Sequence, residues 1–178
     1  MPETVEILCL ANDFETVALK SALDCWGYTT RLHLIGRTSE VVEVLGGAAE
    51  GRHLIISAHG EKNRFLTPKL AASVRPKEKY NKGYFDAAGL KEILCLRGQI
   101  VFCNACTSGK LAKVFINGGA AAFIAPCGYP EGDDSLAFAL NFYYRMRPRQ
   151  KYVPDVTKAF LAVPQTQVAK REQFELFV

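Results

Sequence analysis

Several signals are missing from this sequence, and each absence narrows what the chain can do. No apolar run approaches the roughly 20 residues that span a bilayer, so no transmembrane helix is expected. The opening residues, MPETVEILCLANDFETV, carry acids and lack a basic stretch before an apolar one, so no signal peptide is expected. Paired thiol spacings of the C-x-x-C…C-x-x-C or C-x-x-C…H-x-x-x-H type do not occur, which argues against a structural zinc site. After the first apolar run comes ANDFET rather than a glycine-rich phosphate loop, which argues against a Rossmann-like nucleotide binder. Internal repeats and low-complexity segments are absent. The net charge of +4 is too mild to point to nucleic acid or a membrane surface. Histidine is scarce, with residues 33, 53 and 59 only, so none follows position 59.

What is present suits a globular chain. At 178 residues and 49% hydrophobic composition, residues 1–178 are expected to form one domain with a sizeable core. Short apolar runs at VEILCL, TRLHLI, HLIIS, IVFC and AAFIAP predict buried strands, and QFELFV predicts a last one. Helical periodicity separates them. Phe14, Val17, Ala18, Ala22, Cys25 and Trp26 predict a first helix, with Asp13 able to cap it and Gly27 to end it. Further helices are expected over 39–45, 84–94, 110–116, 134–146 and 155–163. Strands alternating with helices predict a mostly parallel sheet covered on both faces. Cysteines 9, 25, 95, 103, 106 and 127 mostly lie in apolar runs. They are expected to be free thiols in a reducing cytoplasm, most of them buried. Residues 61–83 are rich in lysine and arginine, contain two prolines and lack clear periodicity; a long mobile surface loop, with room for a hairpin, is expected there.

Sites in parallel sheets gather where strand ends open into loops. His59 follows the strand HLIIS, and Cys106 follows the strand IVFC, so both should emerge at one edge. A thiol between a strand and a helix can have its thiolate stabilised by the helix amino end. His59 could serve as its base, and Gly60, having no side chain, lets a backbone amide approach a carbonyl oxygen. Two plainer readings remain open: Cys106 as a small buried residue beside a loop histidine, and Cys103-x-x-Cys106 as a dithiol redox pair. His33 and His53, inside strands, are expected to be structural. A nucleophile-elbow hydrolase would place its histidine after the nucleophile, an order that this chain does not offer.

HLIISAHG, IVFCNACTSG and the long stretch LAKVFINGGAAAFIAPCGYPEGDDSLAFALNFYYRM together resemble the caspase-like superfamily of cysteine peptidases, most closely its CHAT-domain branch. The resemblance covers about residues 50 to 147. It implies a caspase-like three-layer α/β/α sandwich with a mostly parallel central sheet. It also implies His59 as general base, Cys106 as nucleophile, and the amides of Gly60 and Cys106 as the oxyanion hole. Three departures stand out: Asn104 where a small hydroxyl residue is usual, Thr107-Ser108 in inverted order, and no tryptophan in CGYPEG.

The expectation is a cytoplasmic cysteine endopeptidase acting on a protein or peptide, without metal or organic cofactor. The alternative is a catalytically silent caspase-like module that binds a protein partner. Any regulatory partner would be a separate chain. Asp133 and Asp134 are candidate substrate-binding residues, which would favour cleavage after a basic residue; an aspartate just before a helix is equally suited to capping it.

Overall fold

A computed structural model describes residues 3–11, 13–68, 73, 79–80, 82–147, 155–165 and 173–178. The chain begins with β1 (Thr4–Cys9), α1 (Asp13–Cys25), β2 (Thr29–Leu34), α2 (Thr38–Glu43) and β3 (His53–Ser57). Three very short strands follow: β4 (Gly60–Glu61), β5 (Arg64–Leu66) and β6 (Tyr84–Phe85). Next come α3 (Ala87–Ile93), β7 (Ile100–Cys103), a 3₁₀ turn (Ser108–Leu111), α4 (Ala112–Asn117) and β8 (Ala122–Pro126). The last elements are α5 (Gly132–Met146), α6 (Val156–Leu161) and β9 (Phe174–Phe177).

Six strands form one sheet in the order β2-β1-β3-β7-β8-β9. All neighbours run parallel except β9, which pairs antiparallel with β8. Central strands are buried on both faces, as the unbroken apolar runs predict. Alternate residues supply two cores. On one face Leu54, Ile56 and Val101 meet Val41, Leu90 and Phe115 from α2, α3 and α4. On the other, Ile55 and Phe102 meet Leu23, Phe138, Phe142 and Ala159 from α1, α5 and α6. The three-layer, mostly parallel α/β architecture expected from the sequence is the one observed.

Three expectations need correcting. First, α1 lies where its periodicity predicts, but turned: Thr16, Leu19 and Leu23 are buried, while Phe14 is 94% and Val17 53% exposed. The segment carries two apolar stripes, and the branched Leu19 and Leu23 fill the space beside α5. Second, the loop expected over 61–83 is ordered at its start, where residues 60–66 realise the hairpin for which it left room. They form a hairpin with Lys62 and Asn63 both at positive φ (48° and 62°), the pattern of a two-residue type I′ turn. β6 completes a three-stranded antiparallel sheet, so Tyr84 and Phe85 are strand rather than helix, and Asp86 caps α3 through the Gly89 amide. Of the expected loop, residues 69–72, 74–78 and 81 lie outside the described residues. Third, only Cys9 and Cys103 are buried. Cys25 and Cys95 are exposed, Cys106 and Cys127 half-buried, and all six are free. Apolar neighbours in sequence do not bury a residue that lies at an element's end, where Cys25 closes α1 and Cys95 follows α3.

Candidate active site

Because β3 and β7 are parallel neighbours, paired as far as Ile56 with Cys103, their carboxyl ends deliver Ala58-His59-Gly60 and Asn104-Ala105-Cys106 side by side. The contact is tight. A Cβ built on Gly60 would overlap the Cys106 carbonyl oxygen and come within 2.7 Å of the Cys106 nitrogen and 2.9 Å of the Ala105 carbonyl carbon. Only a residue without a side chain permits this backbone-to-backbone approach. His59 is exposed and its carbonyl accepts from the Leu66 amide at 2.8 Å. That bond makes Gly60–Phe65 the wide pair of the hairpin, with the Gly60 amide turned away from β5.

The turn carrying Cys106 is held from both sides. Thr107 sits in the left-handed region (φ 59°, ψ 9°), an outlying conformation for a β-branched residue. Its amide donates to the Gly128 carbonyl at 2.7 Å, and its hydroxyl accepts from the Asn63 amide of the hairpin turn at 3.1 Å. Gly109 lets the chain pass Cys127, whose sulfur would lie 2.9 Å from an added Cβ. Asn104, just past β7, points its side chain at the end of β3: its Oδ1 accepts from the Ala58 amide at 2.9 Å.

Electrostatics correct one expectation. A depressed Cys106 pKa does not result from this turn. Burial pushes the thiol up, its own backbone amide partly offsets this, and the Glu131 carboxylate raises it again. The helical start after Cys106 is a short 3₁₀ turn, with α4 beginning only at Ala112, so little macrodipole reaches the sulfur. Cys103 is wholly buried, and burial drives its thiol to about 11. A dithiol pair with both sulfurs presented to solvent is therefore not what this strand end makes. Cys127 also stands at about 11, through burial and then the neighbouring Glu175.

The remaining candidates separate. Asp133 and Asp134 lie inside the first turn of α5, and neither is its N-cap, because the helix begins two residues earlier than the apolar pattern suggests; Glu131 takes the cap position without a side-chain bond. Asp133 is exposed and accepts from the Asp134 amide at 3.0 Å. Glu131, which periodicity does not single out, is the acid whose charge reaches Cys106. His33, on the edge strand β2, contacts buried Glu6 at 2.8 Å, and fully buried His53, at the amino end of β3, lies 3.2 Å from Glu3. Among the described residues no helix is long and apolar enough to cross a membrane.

No family model and no curated protein matches the sequence. Solved structures do match in fold. The separase–securin complex of Saccharomyces cerevisiae is similar at a TM-score of 0.57 and 13% identity, over 89% of this chain and 10% of that one. A structure described as a protease is similar at 0.53 and 12% identity, over 79% of this chain and 32% of that one. A complex of the pro- and mature domains of RgpB from Porphyromonas gingivalis is similar at 0.53 and 12% identity, over 83% and 38%. The chain thus spans well under half the length of each of these proteins, and what it shares with them is the caspase-like fold.

Proposed function

We propose that the chain is a cysteine endopeptidase working through His59 and Cys106. The observation that carries this reading is the apposition of the Gly60 and Cys106 backbones at the carboxyl ends of β3 and β7. It brings a histidine-bearing strand end and a thiol-bearing turn together with two amides. Because Cys106 rests as a neutral thiol, attack needs a base at the moment of reaction. His59 takes the proton as sulfur bonds to the peptide carbonyl carbon. The resulting oxyanion accepts from the amides of Gly60 and Cys106, the latter already beside the sulfur. Collapse breaks the C–N bond, with His59 returning the proton to the leaving amine. Water, deprotonated by His59, then cleaves the thioester and regenerates the thiol.

Cleavage after a basic residue belongs to this proposal, with Asp133 and Asp134 as substrate-binding acids and Glu131 joined to them because its charge reaches Cys106. Among the neighbours, separase is held in complex with securin; a separate regulatory chain is proposed for this protein on that analogy. The silent interaction module draws support from one observation, the raised Cys106 thiol.

The test uses Cys25→Ser/Cys95→Ser protein, which lacks the two exposed thiols. Incubation with peptidyl chloromethyl ketones ending in Arg, Asp or Leu should modify Cys106 with the Arg reagent, as mapped by mass spectrometry. His59→Ala should slow this by about 100-fold or more, the usual scale for a general base. Glu131→Ala or Asp133→Ala should flatten the preference for Arg. Modification of Cys127 ahead of Cys106 would remove the nucleophile assignment, and preference for the Asp or Leu reagent would remove the acidic pocket.

A further inference from the structure

We propose that Asn104 is a positioning residue that sets His59 against Cys106; the proposal rests on the His59–Cys106 reading above. The β3–β7 ladder ends at Ile56 and Cys103, and one more bond, from the Asn104 amide to the Ile56 carbonyl at 3.1 Å, closes it. On the β1 side the Leu10 amide still donates to the Ser57 carbonyl at 2.8 Å, but on the β7 side the ladder holds nothing beyond that point. The Asn104 side chain supplies the next rung. Its Oδ1 accepts from the Ala58 amide at 2.9 Å, one peptide before His59. Its Nδ2 donates to the Ser57 hydroxyl at 3.3 Å and lies 3.5 Å from Glu15 Oε2, at the start of α1. One planar amide, two residues ahead of Cys106, therefore grips both backbone and side chain of the segment entering His59.

Side-chain length makes this specific. A serine hydroxyl sits one atom short of Oδ1 and cannot reach the Ala58 amide from the same Cα. An aspartate keeps the acceptor at the same reach while losing the donor to Ser57 and Glu15. The residue at position 104 thus supplies the tie between the two strand ends ahead of His59 and Cys106, whereas Asn63 and Thr107 tie them beyond those residues. A residue that only stabilised the fold would change melting without changing how much His59 matters to Cys106. A positioning residue changes that dependence itself.

The experiment is a double-mutant cycle read by iodoacetamide alkylation of Cys106 at neutral pH, in full-length Cys25→Ser/Cys95→Ser protein, with rates followed by mass spectrometry. With Asn104 present, His59→Ala should slow alkylation about tenfold or more, because the neutral thiol needs His59 to take its proton as sulfur attacks. In Asn104→Ser protein the same change should slow it less than about twofold. Asn104→Asp, made together with Glu15→Gln so that no two carboxylates meet and retaining the Ala58 acceptor, should restore the dependence on His59. A full His59 effect in Asn104→Ser protein overturns the positioning role, as does its loss in Asn104→Asp/Glu15→Gln protein. No His59 effect with Asn104 in place strikes instead at the His59–Cys106 reading, and the positioning role falls with it.

Discussion

Gly60→Ala would put a methyl group where the Cys106 carbonyl oxygen lies, and the obstruction is backbone on both sides. Neither partner can swing away as a side chain could. The expected cost is about 1–3 kcal/mol, the scale of overpacking, together with loss of Cys106 modification by peptidyl reagents. Urea unfolding and reagent labelling measure the two. A variant that keeps full labelling would show that the hairpin can retreat without cost. The His-Gly pair and the thiol turn were both visible in the sequence, because residue type and strand-end position are local properties. Thr107 in a left-handed conformation was not, since nothing in the residue's identity favours it; the Gly128 carbonyl and Asn63 amide hold it there. Asn104 was visible only as a departure from the small hydroxyl pattern. Its partners Ala58 and Ser57, at the carboxyl end of β3, are 46 and 47 residues away, and no local rule reaches them.

Elements show a different division between what local pattern predicts and what packing decides. Helix α1 is set by periodicity, yet its orientation is not, because Phe14-Val17-Ala18 and Thr16-Leu19-Leu23 are stripes of the same period on different faces. Packing against α5 chooses the second. Leu23→Ala should therefore cost about 2–5 kcal/mol as a buried large-to-small change, whereas Phe14→Ser should stay within about 0.5 kcal/mol. Chemical denaturation of the two variants checks this, and comparable losses in both would mean that the Phe14 face is covered in solution. The sequence left room for the hairpin β4–β5 but did not place it. Its turn is Lys62-Asn63, without the glycine that usually announces a type I′ turn, and its strands are only two and three residues long. A hydrophobic pattern cannot establish itself over so few residues, and the pairing is fixed by β6 and by Phe65 packing on Phe85.

Across the whole molecule the sheet separates two kinds of polar chemistry. The carboxyl edge carries His59, Cys106 and Glu131. The amino edge carries Glu3, Arg52 and buried His53, with Tyr28 and Tyr143 packed edge-on to the imidazole. The five residues of β3 hold these edges about 16 Å apart. That distance predicts that the amino edge governs stability against pH and leaves the candidate site alone. Burial tends to raise the Glu3 carboxyl, but His53 and Arg52 together outweigh it and hold the group below its ordinary value. A carboxyl depressed in the folded state stabilises above its unfolded pKa, near 4.5, and loses that contribution as pH falls through the folded value. Glu3→Gln should accordingly lower unfolding free energy at pH 7 by about 1 kcal/mol or less, the carboxylate being partly solvated. The gap to the unsubstituted protein should close as the pH drops below that of the depressed carboxyl, while Cys106 alkylation at neutral pH stays unchanged. Urea titrations from neutral to acid pH, paired with alkylation rates, measure both arms. A gap constant with pH would show that Glu3 acts through packing rather than charge, and slowed alkylation would show that the two edges are coupled through β3.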